Sequence, residues 1–284
     1  MDKSLAAGEA RYRAGQVEAE AKRTWVPVLA RIGLAAKGAS FAIVGGLAFA
    51  LAVGAGGEAT SREGALATIA DESGGVVLLI LLAFGFAAYA LWRFSEPFLE
   101  ESDDGAKKYA KWAAWIGRGL IYAGLTYGTV KLIVDAGGNQ SQNAKAHKTT
   151  AEVLSWPGGT WLVGIAGACI AAAGLYNGYR GVSRKFKEKW KTGEMNHSAL
   201  KWGTRVGVVG LLARMVVFGL IGWFLIKAAV EYDPKEAIGL DGALQKLAHQ
   251  SYGAALLALT AAGLIAYGLF CFVEARHRDV KPRG

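Results

Sequence analysis

Four histidines, two cysteines and five prolines are few for 284 residues, and charged residues make up only 19% of the chain. Two cysteines, Cys169 and Cys271, cannot form a disulfide framework. Both fall inside apolar runs and read as small packing residues. His147, His197, His249 and His277 lie in connections or near the end, none with a second His or Cys at helical spacing. The chain has no GxSxG, no Walker A and no dinucleotide fingerprint that opens a helix after a strand. "GAGG" (54–57) is a glycine cluster at a helix end rather than a phosphate loop. No catalytic residue, metal or cofactor follows from these residues, and no enzyme activity is expected. Residues 1–24 are polar and mixed in charge, so no secretory leader is expected there.

Charge is nearly missing from six long stretches: 33–53, 75–92, 113–134, 159–179, 206–230 and 253–273. Each is long enough to cross a hydrocarbon layer of roughly 30 Å as a helix. They are apolar all round, which a water-soluble amphipathic helix is not. They lack the strict alternation of strands. A soluble bundle of six such helices would have no polar face to turn to water. The chain therefore reads as an all-α integral membrane protein with six transmembrane helices. The mean hydropathy of +0.26 agrees.

The net charge of +9 could suggest nucleic acid, but its placement argues for a membrane. If the chain starts inside, the inner segments carry 25 of the 32 Lys and Arg. The outer connections carry Arg62, Lys131, Lys145, Lys148, Lys227, Lys235 and Lys246. This is the positive-inside pattern, with both termini cytoplasmic and the protein in the cell (inner or plasma) membrane. No nucleic-acid module is recognisable. The densest basic stretch is "RKFKEKWK" (184–191). Lys185, Lys187, Lys189 and Lys191 are candidate contacts for anionic headgroups within the 180–205 loop. The plainer reading of the stretch is a topology signal and nothing more.

The runs repeat. Superposing Lys37, Arg118 and Arg214 aligns the first members of three helix pairs without gaps, and Phe41, Tyr122 and Phe218 then coincide, as do Gly33, Ala114 and Gly210. The second members align on Gly75, Gly159 and Gly253, which superposes Trp92, Tyr176 and Phe270, then Glu96, Arg180 and Glu274. The chain is thus a tail (1–29) followed by three two-helix units, 30–106, 107–193 and 194–284, in a pseudo-threefold arrangement. Each outer linker carries a short apolar pattern before its glycine: "ALATIADESGG" (65–75), "AEVLSWPGG" (151–159) and "ALQKLAHQSYG" (243–253). These are expected to be short amphipathic helices at the outer surface. The GxxxG spacings in "GLTYG" (124–128), "GLYNG" (174–178) and "GTRVG" (203–207) suit close helix packing.

The openings "AKGASF", "GRGLIY" and "LARMVVF", with the "AL…G" linkers, resemble bacterial membrane proteins of domain-of-unknown-function family 1206 over about 30–280. Met215 departs from the glycine of the other two copies. The resemblance implies a six-helix membrane protein and no particular activity.

A lysine or arginine four residues before an aromatic, at the start of each first helix, has two readings. It can be an anchor whose long side chain reaches the headgroups, with the aromatic covering its stem. Or the three cations form a ring about a threefold axis. Glu96, Arg180 and Glu274 lie at a similar depth, so Lys37 is expected to pair with Glu96, and Arg214 with Glu274. The second unit has Arg118 and Arg180, of one sign, and must borrow a carboxylate, meet a lipid phosphate or bind an anion. Function is open between a structural or regulatory protein working through lipids or partners and a transporter or channel, which internal repetition also suits.

Overall fold

The structure, a computed structural model, describes residues 3–55, 66, 74–99, 105–135 and 142–280. Among them it forms eight α-helices: α1 Lys3–Ala52, α2 Gly75–Leu99, α3 Ala106–Asp135, α4 Gln142–Leu154, α5 Gly159–Val182, α6 His197–Glu231, α7 Leu240–Ala248 and α8 Gly253–His277. Residues 3–24, expected as a partly helical tail, run unbroken into the first apolar helix.

Among the described residues five helices are long and apolar enough to cross a membrane: Trp25–Ala52, Gly75–Phe98, Gly159–Val182, His197–Glu231 and Gly253–His277. The sixth expected span, 113–134, lies within the 30-residue helix α3. Arg118 and Lys131 sit inside that stretch, so composition alone does not mark it as a span. Large apolar side chains face outward, among them Leu81 and Phe84 on α2, Trp161 and Ile165 on α5 and Leu259 on α8. An apolar exterior around polar buried groups suits a multi-pass membrane protein.

The helices pack in the order α3–α2–α1–α8–α6–α5. The second helix of each pair lies against the first of the next: α2 on α3, α5 on α6, α8 on α1. Within the first pair α1 packs on α2, and within the third α6 packs on α8. Within the middle pair α3 and α5 scarcely touch among the described residues.

Glycine decides these contacts. A Cβ on Gly33 would come within 2.6 Å of the Tyr89 Cα, and one on Gly210 within 2.5 Å of the Tyr267 Cα. Only glycine lets those backbones approach so closely, and without a hydrophobic drive between helices such contact is what holds membrane helices together. Between pairs the rule is size complementarity at one register. Gly119 receives Phe94, Gly38 lies beside Phe272, and Gly178 receives Met215. The departure at Met215 is thus matched by a glycine across the interface.

Two linker expectations are resolved. Residues 151–154 and 243–248 are helical, in α4 and α7. Yet α7 does not lie flat on the surface: Leu240, Asp241, Gly242, Ala243 and Leu244 are buried. It packs against α8, α6 and α4 and so covers the end of the third hairpin between α6 and α8. The first linker lies outside the described residues apart from Leu66, which is buried, and Gly74–Gly75. The chain turns back into the fourth and sixth apolar runs at Gly159 and Gly253, where a Cβ would collide with the carbonyls of Val153 and Ala248.

Candidate functional site

Polar side chains gather at the end of the bundle that carries residues 184–191. Lys37 projects from α1 between two tyrosines, its Nζ 5.4 Å from the centroid of the Tyr89 ring and 5.3 Å from that of Tyr267. Arg214 on α6 donates through Nη1 to the Tyr267 hydroxyl at 2.7 Å. Its Cζ lies 4.6 Å from the ring centroids of both Tyr267 and Phe218, and 5.5 Å from that of Phe41. The i, i+4 aromatic therefore does meet its cation in the third unit. In the first, tyrosines of α2 and α8 take that place. A cation over an aromatic face is stabilised by the ring quadrupole without a counter-ion.

The carboxylates are held differently from the expectation. Glu96 accepts from Arg93, its neighbour one turn back, rather than from Lys37. Glu274 accepts from Arg278 Nη1 at 3.3 Å rather than from Arg214. Both pairs are largely buried. Partners on the same helix turn need no particular rotation of the neighbouring helix, whereas pairing across the hairpin does. Arg93 also donates to the Tyr89 hydroxyl at 2.7 Å and stacks 4.0 Å from the Trp92 centroid. Arg278 reaches the same Trp92 at 5.1 Å, so the ends of α2 and α8 share one aromatic.

The remaining members are Arg118 and Arg180. Arg118 lies within electrostatic reach of Arg93, Glu96 and Arg214, and Arg180 within reach of Glu274. Among the described residues neither makes a hydrogen bond, an ion pair or a ring contact, and the Arg118 residue is exposed. The cluster thus sets Lys37, Arg93, Arg118, Arg180, Arg214 and Arg278 against Glu96 and Glu274. In addition, Arg93 Nε and Arg214 Nε are buried without an acceptor. An arrangement with this excess of positive charge can hold an anion. Sequence reasoning missed Tyr89, Tyr267, Arg93 and Arg278. The two tyrosines were findable, since both stand fourteen residues after an aligned glycine, Gly75 and Gly253.

A small cavity of about 110 Å³ adjoins the cluster, lined by Arg214 together with Phe41, Val217, Phe218, Ile221, Leu240 and Leu264. Among the described residues no three His, Cys, Asp or Glu side chains come together as a metal-binding group.

The "RKFKEKWK" stretch is built as a plug with a charged rim. Phe186 and Trp190 are buried against Phe270, with Gly203 and Gly207 making room for them. The backbone is pinned by Lys191 N donating to His277 O at 2.8 Å and Asp279 N to Lys189 O at 2.9 Å. Lys185 and Lys189 are exposed, and Lys187 and Lys191 half-buried. A hydrogen bond to the Tyr179 phenol holds the Lys185 ammonium above the ordinary lysine range, so it remains charged. Lys191 is tied to Glu194 at 3.2 Å.

No solved structure matches the chain. Among curated proteins it is similar to an uncharacterized protein, YxxB, of Bacillus subtilis (strain 168), 30% identical over 263 residues, which covers 91% of this chain and 93% of that one. The family described as "Domain of Unknown Function (DUF1206)" matches three times in tandem, over residues 32–98, 113–184 and 209–278. These are the three helix pairs, each carrying two cations of the cluster, and the chain belongs to the DUF1206 family.

Proposed function

We propose that this is a six-helix protein of the cell (inner or plasma) membrane, with both termini cytoplasmic, which acts in a structural or regulatory role through anionic lipid held at its basic end. The observation that carries this reading is the charge excess of the cluster, in which Glu96 and Glu274 are already engaged by Arg93 and Arg278. The Lys185–Lys191 rim extends the same sign of charge to the bundle surface. Anionic headgroups are the most abundant anions at a cytoplasmic membrane face. A pseudo-threefold arrangement is supported by the recurrence of one interface three times, each pairing a glycine with a large side chain. That arrangement makes α3 the sixth span, with Arg118 near the inner headgroups.

The alternative is a transporter or channel built on three repeats. The ring contacts that fill the buried interior, Phe41 and Phe270 on Tyr267 and Tyr122 on Tyr89, favour the structural reading. No enzymatic activity, cofactor or nucleic acid is part of it.

The test replaces Lys185, Lys187, Lys189 and Lys191 together by glutamine. Each lysine near the surface contributes about 1 kcal/mol of attraction. The purified variant should therefore lose its enrichment of anionic over zwitterionic lipid in mixed-lipid nanodiscs. Unchanged enrichment would reduce the four lysines to topology signals.

A further inference from the structure

The middle hairpin departs from the others at each position where they close. The contact of Gly33 with Tyr89, and of Gly210 with Tyr267, has Ala114 and Ala173 at its register. The second contact, Gly85 with Ala36 and Gly263 with Ala213, has Cys169 and Gly117 there. Ala114, Cys169 and Ala173 are all exposed, and a Cβ on Gly117, Gly124 or Gly128 would meet nothing within 4 Å. The missing tyrosine also has an electrostatic consequence. Its counterparts accept from Arg93 and Arg214 and present their rings to Lys37. At position 173 there is only a methyl group, so Arg118 has no phenol from its own hairpin.

We propose that the space between α3 and α5 is a binding site for one anionic phospholipid, its phosphate held by Arg118 and Arg180 and one acyl chain lying along Gly117, Gly124 and Gly128 with Cys169 and Ala173 opposite. Charge complementarity selects the head: two arginines that have no direct partner among the described residues stand at the basic end of the groove. The walls select the tail, because below Arg118 they are apolar or bare of side chain, with Leu120 and Ile121 exposed beside them. The length agrees. From Gly117 to Gly128, and again from Cys169 to Arg180, is about 16 Å at 1.5 Å per residue. That is close to the roughly 15 Å of one leaflet, half of the hydrocarbon layer. The inference rests on the proposed reading of this end as the lipid-binding one. It differs in naming a single built site rather than the surface rim.

Cys169 is a native reporter, with buried Cys271 as an internal control. The full-length protein is placed in nanodiscs of phosphatidylcholine alone, or with added phosphatidylglycerol, and Cys169 is alkylated with N-ethylmaleimide. With phosphatidylglycerol the labelling should slow about tenfold at nine-tenths occupancy, and native mass spectrometry should retain one phospholipid per chain. Arg118→Gln with Arg180→Gln should abolish the protection. Ala173→Tyr restores the residue of the other hairpins. It should exclude the lipid and slow labelling in either nanodisc, with thermal stability kept or raised. The proposal is overturned if phosphatidylcholine protects Cys169 equally, if inorganic phosphate alone protects it, or if cross-linking through position 169 captures a second copy. Retention of the lipid by Ala173→Tyr would overturn it as well. The quadruple lysine variant separates the two readings: loss of bulk anionic enrichment with Cys169 still protected supports the site whatever the rim does.

Discussion

In the first hairpin the backbone of Tyr89 lies against Gly33, and in the third that of Tyr267 lies against Gly210. At the same register the second hairpin has Ala114 and Ala173, and its helices α3 and α5 part. Yet α3 and α5 each keep their neighbour in the adjoining hairpin, α2 and α6. The difference teaches that this fold depends on contacts between units more than within them. A repeat can lose its own closure and remain in place because its neighbours hold it. It also shows what the tyrosines do. They close the hairpins, and their rings, with the Tyr267 hydroxyl, hold Lys37 and Arg214 by aromatic contact rather than by a carboxylate.

The largest expected effect compares the last aligned charge of each unit. Glu274 and Arg278 form a buried pair, with side chains 5% and 10% exposed. Removing one partner of such a pair leaves an uncompensated charge and costs about 3–5 kcal/mol. Glu274→Gln should therefore lower the unfolding midpoint clearly. Arg278→Gln in that background should add little, and additive losses would show that the two do not interact. Arg180→Gln at the equivalent position of the open hairpin should change stability by under about 0.5 kcal/mol in lipid-free detergent. A large loss there would mean that Arg180 is structural and the hairpins are alike.

Overpacking comes next. Gly210→Leu forces a side chain into the Tyr267 backbone and should cost about 1–3 kcal/mol. Ala114→Leu, at the same register of the open hairpin, should be near neutral. Equal costs in a thermal-shift or denaturant series would contradict the open middle hairpin.

Much of this was legible before any coordinates. Run length and the absence of a polar face identified the helices, and superposing Lys37, Arg118 and Arg214 identified three units that then proved to converge on one cluster. What was not legible has physical causes. Helix rotation decides whether Glu96 meets Lys37 or Arg93, and rotation leaves no trace in spacing. Leu240 and Leu244 are apolar whether they face lipid or core, so the burial of α7 could not be told from a surface helix. Arg118 and Lys131 blur the span in α3 because the cost of a buried cation depends on neighbours that hydropathy does not see. The opening of the second hairpin was visible in part, as alanine at 114 beside glycine at 33 and 210. Its meaning appeared only when Tyr89 and Tyr267 were found on the other side of that contact.

The smallest effect tests the half of the comparison in which the three units agree. Between hairpins, Gly119 with Phe94 and Gly38 with Phe272 place glycine on the first helix, whereas Met215 with Gly178 reverses the order. If the three interfaces are equivalent, the reversal is a swap of volume across one contact. Met215→Gly alone removes a half-buried side chain next to a glycine and leaves a gap, at a cost of about 1–2 kcal/mol. Gly178→Phe alone puts a ring where Met215 already stands and should also destabilise. Made together, they recreate the arrangement of the other two interfaces. The double variant should then recover about 1 kcal/mol relative to the sum of the single losses, read as the coupling in a double-mutant cycle. The recovery is partial because the surrounding side chains have settled around a methionine. Strict additivity would mean that the α5–α6 interface is packed by rules of its own, and that only the interfaces α2–α3 and α8–α1 are truly equivalent.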